Sequence, residues 1–191
     1  MDRNVLQELL TRWNPHFGDP ENGAWKGTVP RKQYLTKITK LIDIRHAIIL
    51  SGVRRSGKST IMQQMMGWLI EEQQVPSQNV LYLYLDDLIV ANYLNLGSDL
   101  LESLYKYYLE TYNPQGRVYV FIDEIQGVKD FNRWLHTYYE FNRTNIKFVI
   151  SGSRKSLLES ETATLMTGRN VLIEVYPFNF YEYLQMKHVP F

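Results

Sequence analysis

Apolar residues recur along this chain in two periods, and the alternation between them predicts the architecture. Val5, Leu6, Leu9 and Leu10 share one face of a short amphipathic helix that Pro15 stops. From Asn14 to Pro30 the residues turn to Pro, Gly, Asn and Asp, which predicts a loop. Trp13, Phe17 and Trp25 are expected to pin that arm onto the core. Helical spacing resumes from Arg31 to Ile44 through Tyr34, Leu35, Ile38, Leu41 and Ile42. A short apolar run, Ala47 to Leu50, reads as a strand, and Ile61, Met62, Met65, Met66, Leu69 and Ile70 form the buried stripe of the helix that follows. The same alternation continues with a strand over Asn79 to Leu85 and a helix over Ser98 to Tyr112. Next come a strand over Arg117 to Ile122 and a helix, capped by Asp130, with Phe131, Trp134, Leu135, Tyr138 and Tyr139 inward. A strand over Ile146 to Ile150, a helix over Lys155 to Met166, a fifth strand over Val171 to Val175 and a short helix after Pro177 complete it.

Five strand–helix alternations predict an α/β fold, a three-layer sandwich around a five-stranded parallel sheet. The composition shifts divide the chain into an N-terminal helix and arm (1–30), a core (31–176) and the start of a C-terminal helix or linker (177–191). Composition changes this picture little. Hydrophobic residues at 45% and a net charge of +1 suit a globular domain and give no whole-molecule field for nucleic acid or membrane. The absence of cysteine removes disulfide and zinc-thiolate chemistry. With no apolar stretch near ~20 residues and no signal-like N-terminus, a cytoplasmic protein without a membrane partner is expected.

The candidate chemistry begins after the first core strand. Ser51 to Thr60 reads Gly-x4-Gly-Lys-Ser, and its strand–loop–helix setting is the one a phosphate-binding loop requires. Gly52 and Gly57 let the backbone curl so that successive N–H groups, including that of Ser56, point inward. The first turn of the helix, from Lys58 through Ser59 and Thr60, adds free N–H groups and the positive end of its dipole. Lys58 is expected to reach the β- and γ-phosphates, and the Ser59 hydroxyl to join Mg²⁺. The second stretch is Val118 to Ile122, apolar enough for a strand covered on both faces, closing on Asp123 and Glu124. Acids at a parallel strand's C-terminal end sit where such sheets bind ligands. Asp123 is expected to hold Mg²⁺ through its waters, and Glu124 to deprotonate an attacking water.

Several positions have two readings. Tyr34 precedes the loop strand and either stacks on adenine or is buried in the core. Asp86 and Asp87 either support the metal or serve as a solvated loop acid and a helix cap. Ser153 or Ser151, at the end of the fourth strand, senses the γ-phosphate or simply forms a turn.

The loop Gly52-Val53-Arg54-Arg55-Ser56-Gly57-Lys58-Ser59, with Phe121-Ile122-Asp123-Glu124-Ile125-Gln126, resembles the AAA-type P-loop ATPases of the additional-strand, catalytic-glutamate division. Ser151-Gly152-Ser153 and Leu165-Met166-Thr167-Gly168-Arg169 leading to Tyr176-Pro177-Phe178 are similar to one prokaryotic branch of them. Members of that branch commonly continue into a C-terminal, often nuclease-like domain. The resemblance covers roughly Arg31 to Leu184 and implies a sheet order of 5-1-4-3-2, ATP with Mg²⁺, and a macromolecular substrate, nucleic acid or protein. Arg169 falls where such ATPases carry an arginine finger that acts in a neighbouring subunit, implying a homo-oligomer. Arg54 and Arg55 take the variable loop positions, whose side chains point away from the phosphates. Two departures stand out: no helical lid follows within the 191 residues, and Arg154 replaces a small polar residue beside Ser153. Both are compatible with slow hydrolysis. An ATP-operated switch or scaffold with rare turnover is therefore the alternative to a motor, and a small-molecule kinase is a third option.

Overall fold

The computed structural model of the chain describes residues 1–141, 145–152 and 168–187. Its centre is a five-stranded, wholly parallel sheet of β1 (Ala47–Ser51), β2 (Val80–Tyr84), β3 (Val118–Asp123), β4 (Ile146–Gly152) and β5 (Asn170–Glu174). The order is β2-β3-β4-β1-β5, as the resemblance implied. Every residue of β1 is buried, and since neighbouring side chains point to opposite faces, the sheet is covered on both sides. Leu50 pairs with Ser151, and Ile122 with Ile150. The tip of β4 therefore lies between the tips of β1 and β3.

The helices are α1 (Arg3–Trp13), α2 (Lys32–Thr39), α3 (Lys58–Gly67), α4 (Leu88–Ala91), α5 (Ser98–Tyr112), α6 (Phe131–Phe141) and α7 (Phe180–Met186). A wider π-helical turn extends α3 from Trp68 to Glu72. Among the described residues no helix is long and apolar enough to cross a membrane. Ser153 and the helix expected over Lys155 to Met166 lie outside the described residues.

The N-terminal arm is part of the core, as its aromatic residues predict. Trp13 and Trp25 are buried, and Phe17 packs on Tyr112 with ring centroids 4.4 Å apart. Its polar residues do something the sequence did not suggest. β2 is an edge strand, with free backbone groups on its outer side. Asn14 Oδ1 accepts from Tyr82 N–H at 2.7 Å while Asn14 Nδ2 donates to Tyr82 O at 3.0 Å. His16 Nε2, 2.8 Å from Val80 O, completes the seal. Two side chains thus stand in for a missing strand.

One element is shorter than its spacing predicts. Helical periodicity runs to Ile44, yet α2 ends at Thr39. The cause is Lys147, wholly buried on β4. Its ammonium donates to the carbonyls of Leu41, Ile44 and His46 at 2.6, 2.8 and 2.7 Å. Three carbonyls turned to one cation cannot also point along a helix axis, so a tertiary bond overrides local preference.

Two predictions follow from these buried polar contacts. Lys147→Met fills similar space but leaves three carbonyls without their donor, and should lower unfolding free energy by about 3 kcal/mol in urea titration. Burial holds the His16 pKa below its ordinary 6.5, against a smaller opposing effect of the Val80 bond. As pH falls through about 6.5 the unfolded chain takes up a proton that the folded chain refuses, so stability drops. His16→Gln, which keeps a donor for Val80 O, should flatten the stability–pH curve below pH 6.5; an unchanged slope would rule His16 out as its source.

Candidate nucleotide-binding site

The loop between β1 and α3 is shaped by close backbone approaches. A Cβ on Gly52 would lie 2.2 Å from Val175 O and 2.9 Å from Ser56 Oγ. Gly57 has φ +93°, and a Cβ there would meet Arg31 Nη1 at 2.7 Å. Val53, Arg54 and Arg55 are exposed, and Arg54 lies 3.9 Å from Asp86. Ser51 Oγ and Ser56 Oγ are buried with no hydrogen-bond partner among the described residues. At the start of α3 the first intrahelical bond is from Ile61 N–H to Gly57 O, which leaves the amides of Lys58, Ser59 and Thr60 without an intrahelical acceptor. Buried orphan polar atoms, free amides and a helix start in one place make a cradle suited to an anion.

Lys58 is buried and folded onto that cradle. Its Nζ donates to Gly52 O at 3.2 Å and Val53 O at 3.3 Å, and lies 3.7 Å from Glu124 Oε1. The phosphate-loop lysine and the acid at the tip of β3 therefore converge across the end of β4.

At that tip Asp123 is fully buried. Tyr82 OH donates to its Oδ2 at 2.7 Å, and Ser151 Oγ donates to its Oδ1. Ser151 Oγ also accepts from Glu124 N–H at 3.2 Å, so one hydroxyl ties both acids to β4. Burial, then the charge of Asp123, pushes the Tyr82 pKa well up, which keeps its hydroxyl a donor. Tyr84 is raised by burial and by the surrounding acids Asp86, Asp123 and Glu124. Glu124 takes φ +57°, turning out of the strand, and Gln126 Nε2 donates to its Oε2. Lys58, Glu124, Gln126, Arg54 and Asp86 line a cavity of about 340 Å³. Ser59 and Tyr82 line a second, of about 350 Å³, on the arm side.

The residues expected to meet Mg²⁺ are a single carboxylate, Asp123, and a single hydroxyl, Ser59. Among the described residues no three His, Cys, Asp or Glu side chains gather into a metal cage. Here Asp123 is fully buried with both oxygens accepting from Tyr82 and Ser151, and Ser59 lines the arm-side cavity, so metal would have to reach Asp123 through a rearranged contact or a water.

Other expected residues fall differently. Tyr34 is buried, its hydroxyl accepting from Tyr176 N–H at 3.0 Å and its ring facing the Arg31 guanidinium at 4.7 Å. The structure thus places it in the core, the second of its two readings. Asp87 caps α4 by accepting from Ile89 N–H at 2.8 Å, and also accepts from Trp13 Nε1 at 3.1 Å. Ser153 lies outside the described residues. Arg169 sits at the far end of the sheet, its carbonyl accepting from Ala47 N–H at 2.9 Å and its Nε 3.2 Å from Glu140 Oε1. The length of β1, roughly 3.3 Å per residue, separates it from its own loop. Sequence reasoning missed Arg31, Tyr82 and Gln126. An aromatic in a buried strand and an arginine before a helix carry no local signal of a site, whereas Gln126 lay within the quoted motif.

The Asp123 contacts yield a direct test. Tyr82→Phe removes one donor from a buried carboxylate and should cost about 2 kcal/mol of stability. An unchanged urea midpoint would mean that the Tyr82 hydroxyl does not support the carboxylate.

Comparison with known proteins agrees with this geometry. A family model described as AAA domain matches residues 44–184. An uncharacterized protein of Haemophilus influenzae is 33% identical over 164 residues, covering 86% of this chain and 39% of that protein. The uncharacterized protein MJ1544 of Methanocaldococcus jannaschii is 29% identical over 140 residues, covering 73% of this chain and 28% of that protein. The chain thus spans well under half the length of these curated relatives. A solved structure of C. elegans PCH-2 superposes with a TM-score of 0.54 at 17% identity, over 98% of this chain and 46% of that one, a likeness of fold. With its phosphate-loop cradle and acidic strand tip on a parallel sheet of order β2-β3-β4-β1-β5, this chain belongs to the AAA domain family.

Proposed function

We propose that the chain is an ATPase core that binds ATP with Mg²⁺ and couples hydrolysis to conformational change on a macromolecule, nucleic acid or protein. The observation that carries this reading is the approach of Lys58 Nζ to Glu124 Oε1 at 3.7 Å, which brings two motifs distant in sequence to one site. The loop amides and Lys58 bind the phosphates, with Gly52, Ser56, Gly57 and Thr60 shaping the cradle. Ser59, and Asp123 through water, would hold Mg²⁺, which would supply charge neutralisation at the phosphates. Glu124 takes the proton of the attacking water. Lys58 exchanges its bonds to Gly52 O and Val53 O for phosphate oxygens, which shifts it from neutral carbonyls to charged acceptors. Arg169 acts on the nucleotide of a neighbouring copy, a role supported by its distance from its own loop, and this makes the active form a homo-oligomer.

A second reading has a specific observation in its favour. Glu124 is engaged by both Gln126 and Lys58, and Lys58 by its own loop. A site that holds its base and its cation in mutual contact suits a switch that binds ATP and turns over rarely. Its output would then lie in a further domain, of the kind that the greater length of the relatives accommodates.

One experiment separates them: Mg²⁺-dependent ATP hydrolysis per chain against protein concentration, for the native protein and Glu124→Gln. For the motor, specific activity should rise with concentration, and Glu124→Gln should cut turnover about 10²- to 10⁴-fold while ATP binding persists. A flat, near-zero rate with intact binding would establish the switch, and no binding at all would overturn the nucleotide reading.

A further inference from the structure

Behind the loop, away from the acids, lies a wholly buried arginine that none of the roles above uses. Arg31 has no accessible surface, and its guanidinium joins three segments of the chain. Nη1 donates to Ser56 O at 2.9 Å, Nη2 to Tyr176 O at 2.8 Å, and Nε to Glu182 Oε1 at 2.7 Å. The rings of Tyr34 and Phe178 lie 4.7 and 5.0 Å from it. Its backbone N–H is anchored separately, to Gln64 Oε1 of α3 at 2.9 Å.

The bond to Ser56 has a geometric consequence. A trans peptide points its C=O and N–H to opposite sides, and no peptide bond described here is cis. Holding the Ser56 carbonyl toward Arg31 therefore turns the Gly57 N–H the other way. A Cβ on Gly57 would crowd the Arg31 guanidinium at 2.7 Å, and its φ of +93° disfavours a side chain in any case.

Arg31 in turn depends on α7. Glu182 is the buried residue of that helix, while Phe180, Tyr181, Tyr183 and Met186 are exposed. Within α7 Glu182 also closes a capping box, its Oε2 accepting from Asn179 N–H at 3.0 Å. The helix thus meets the core chiefly through the carboxylate that holds Arg31.

We propose that Arg31 is a positioning residue for nucleotide phosphate: it fixes the Ser56–Gly57 peptide so that the Gly57 amide faces the phosphate, and Glu182 holds it there. The docking of α7 and the binding of nucleotide are then coupled, and the coupling runs both ways. This rests on the reading of the loop as a nucleotide site.

The test uses Mg·ADP and calorimetry on the native chain, Glu182→Gln, Arg31→Lys and the double variant. Glutamine removes the charge and offers one acceptor oxygen where the carboxylate uses two, so it keeps either the capping box or the bond to Arg31 Nε; lysine keeps the charge but loses the three-way fork. Each single variant should weaken Mg·ADP binding about ten-fold, as loss of a charge-assisted contact implies. The double variant should be no weaker than Arg31→Lys alone, because the two residues act as one unit. Folded variants with native affinity, or losses that add, would overturn the proposal even if unliganded melting temperatures fall, since a merely structural role predicts that pattern. Hydrogen exchange on the native chain gives a readout free of any folding defect: amides of residues 182–186 should slow when Mg·ADP saturates, and no change would also overturn it. A native chain that binds no Mg·ADP would instead bring down the nucleotide reading, and this inference with it.

Discussion

A carboxylate buried with no accessible surface is unfavourable unless its oxygens are bonded, and Asp123 satisfies both through hydroxyls from two neighbouring strands. That constraint organises the tip of the sheet. Tyr82 comes from β2 and Ser151 from β4, so the acid is held only where β3 lies between them. Ser151 then reaches Glu124 N–H as well, which fixes the turn that leads the second acid out of the strand. The Glu124 backbone, at φ +57°, is in a region non-glycine residues seldom occupy, and it points the carboxylate at Lys58. A chain of hydrogen bonds thus runs from the edge strand to the loop lysine.

The two flanks of this tip are secured by chain segments from opposite ends of the sequence. On the β2 side, Asn14 and His16 occupy the strand's outer backbone groups. On the loop side, Arg31 and Glu182 bring the start of α2 and the helix α7 behind the loop. Buried ion pairs of this kind gain little net stability, because desolvation offsets attraction, but they enforce one arrangement wherever a partner cannot be lost cheaply. That suits the proposed role of the loop, which depends on amide direction more than on strength of packing. Lys147 applies the same logic to the turn before β1, tying three carbonyls so that the strand enters in register.

Much of this was legible from residue order. Apolar periodicity marked all five strands, and the end of α5 at Tyr112 follows from Asn113-Pro114. Gly52, Gly57, Lys58 and Ser59 stood out as candidates because the phosphate-loop pattern has fixed local spacing, and Asp123 and Glu124 because two acids close an apolar strand. Periodicity overran α2, since Leu41 and Ile42 continue a helical stripe that Lys147 interrupts from a hundred residues away. Tyr34 allowed two readings, because an aromatic near a nucleotide loop and one in the core look alike in sequence.

What the sequence determined by itself was the set of local units: which segments are strands or helices, and which loop has the spacing of a phosphate-binding loop. These follow from backbone preference, side-chain period and turn geometry, all short-range. Only the tertiary structure decided that Ser151 and Tyr82 share Asp123, that Asn14 completes a sheet edge, and that Arg31 meets Glu182 behind Gly57. Each of these joins residues from distant parts of the chain, and a single bond of that kind leaves no period in the sequence. The need that creates it, to satisfy a buried polar group, arises only once the surrounding chain has excluded water.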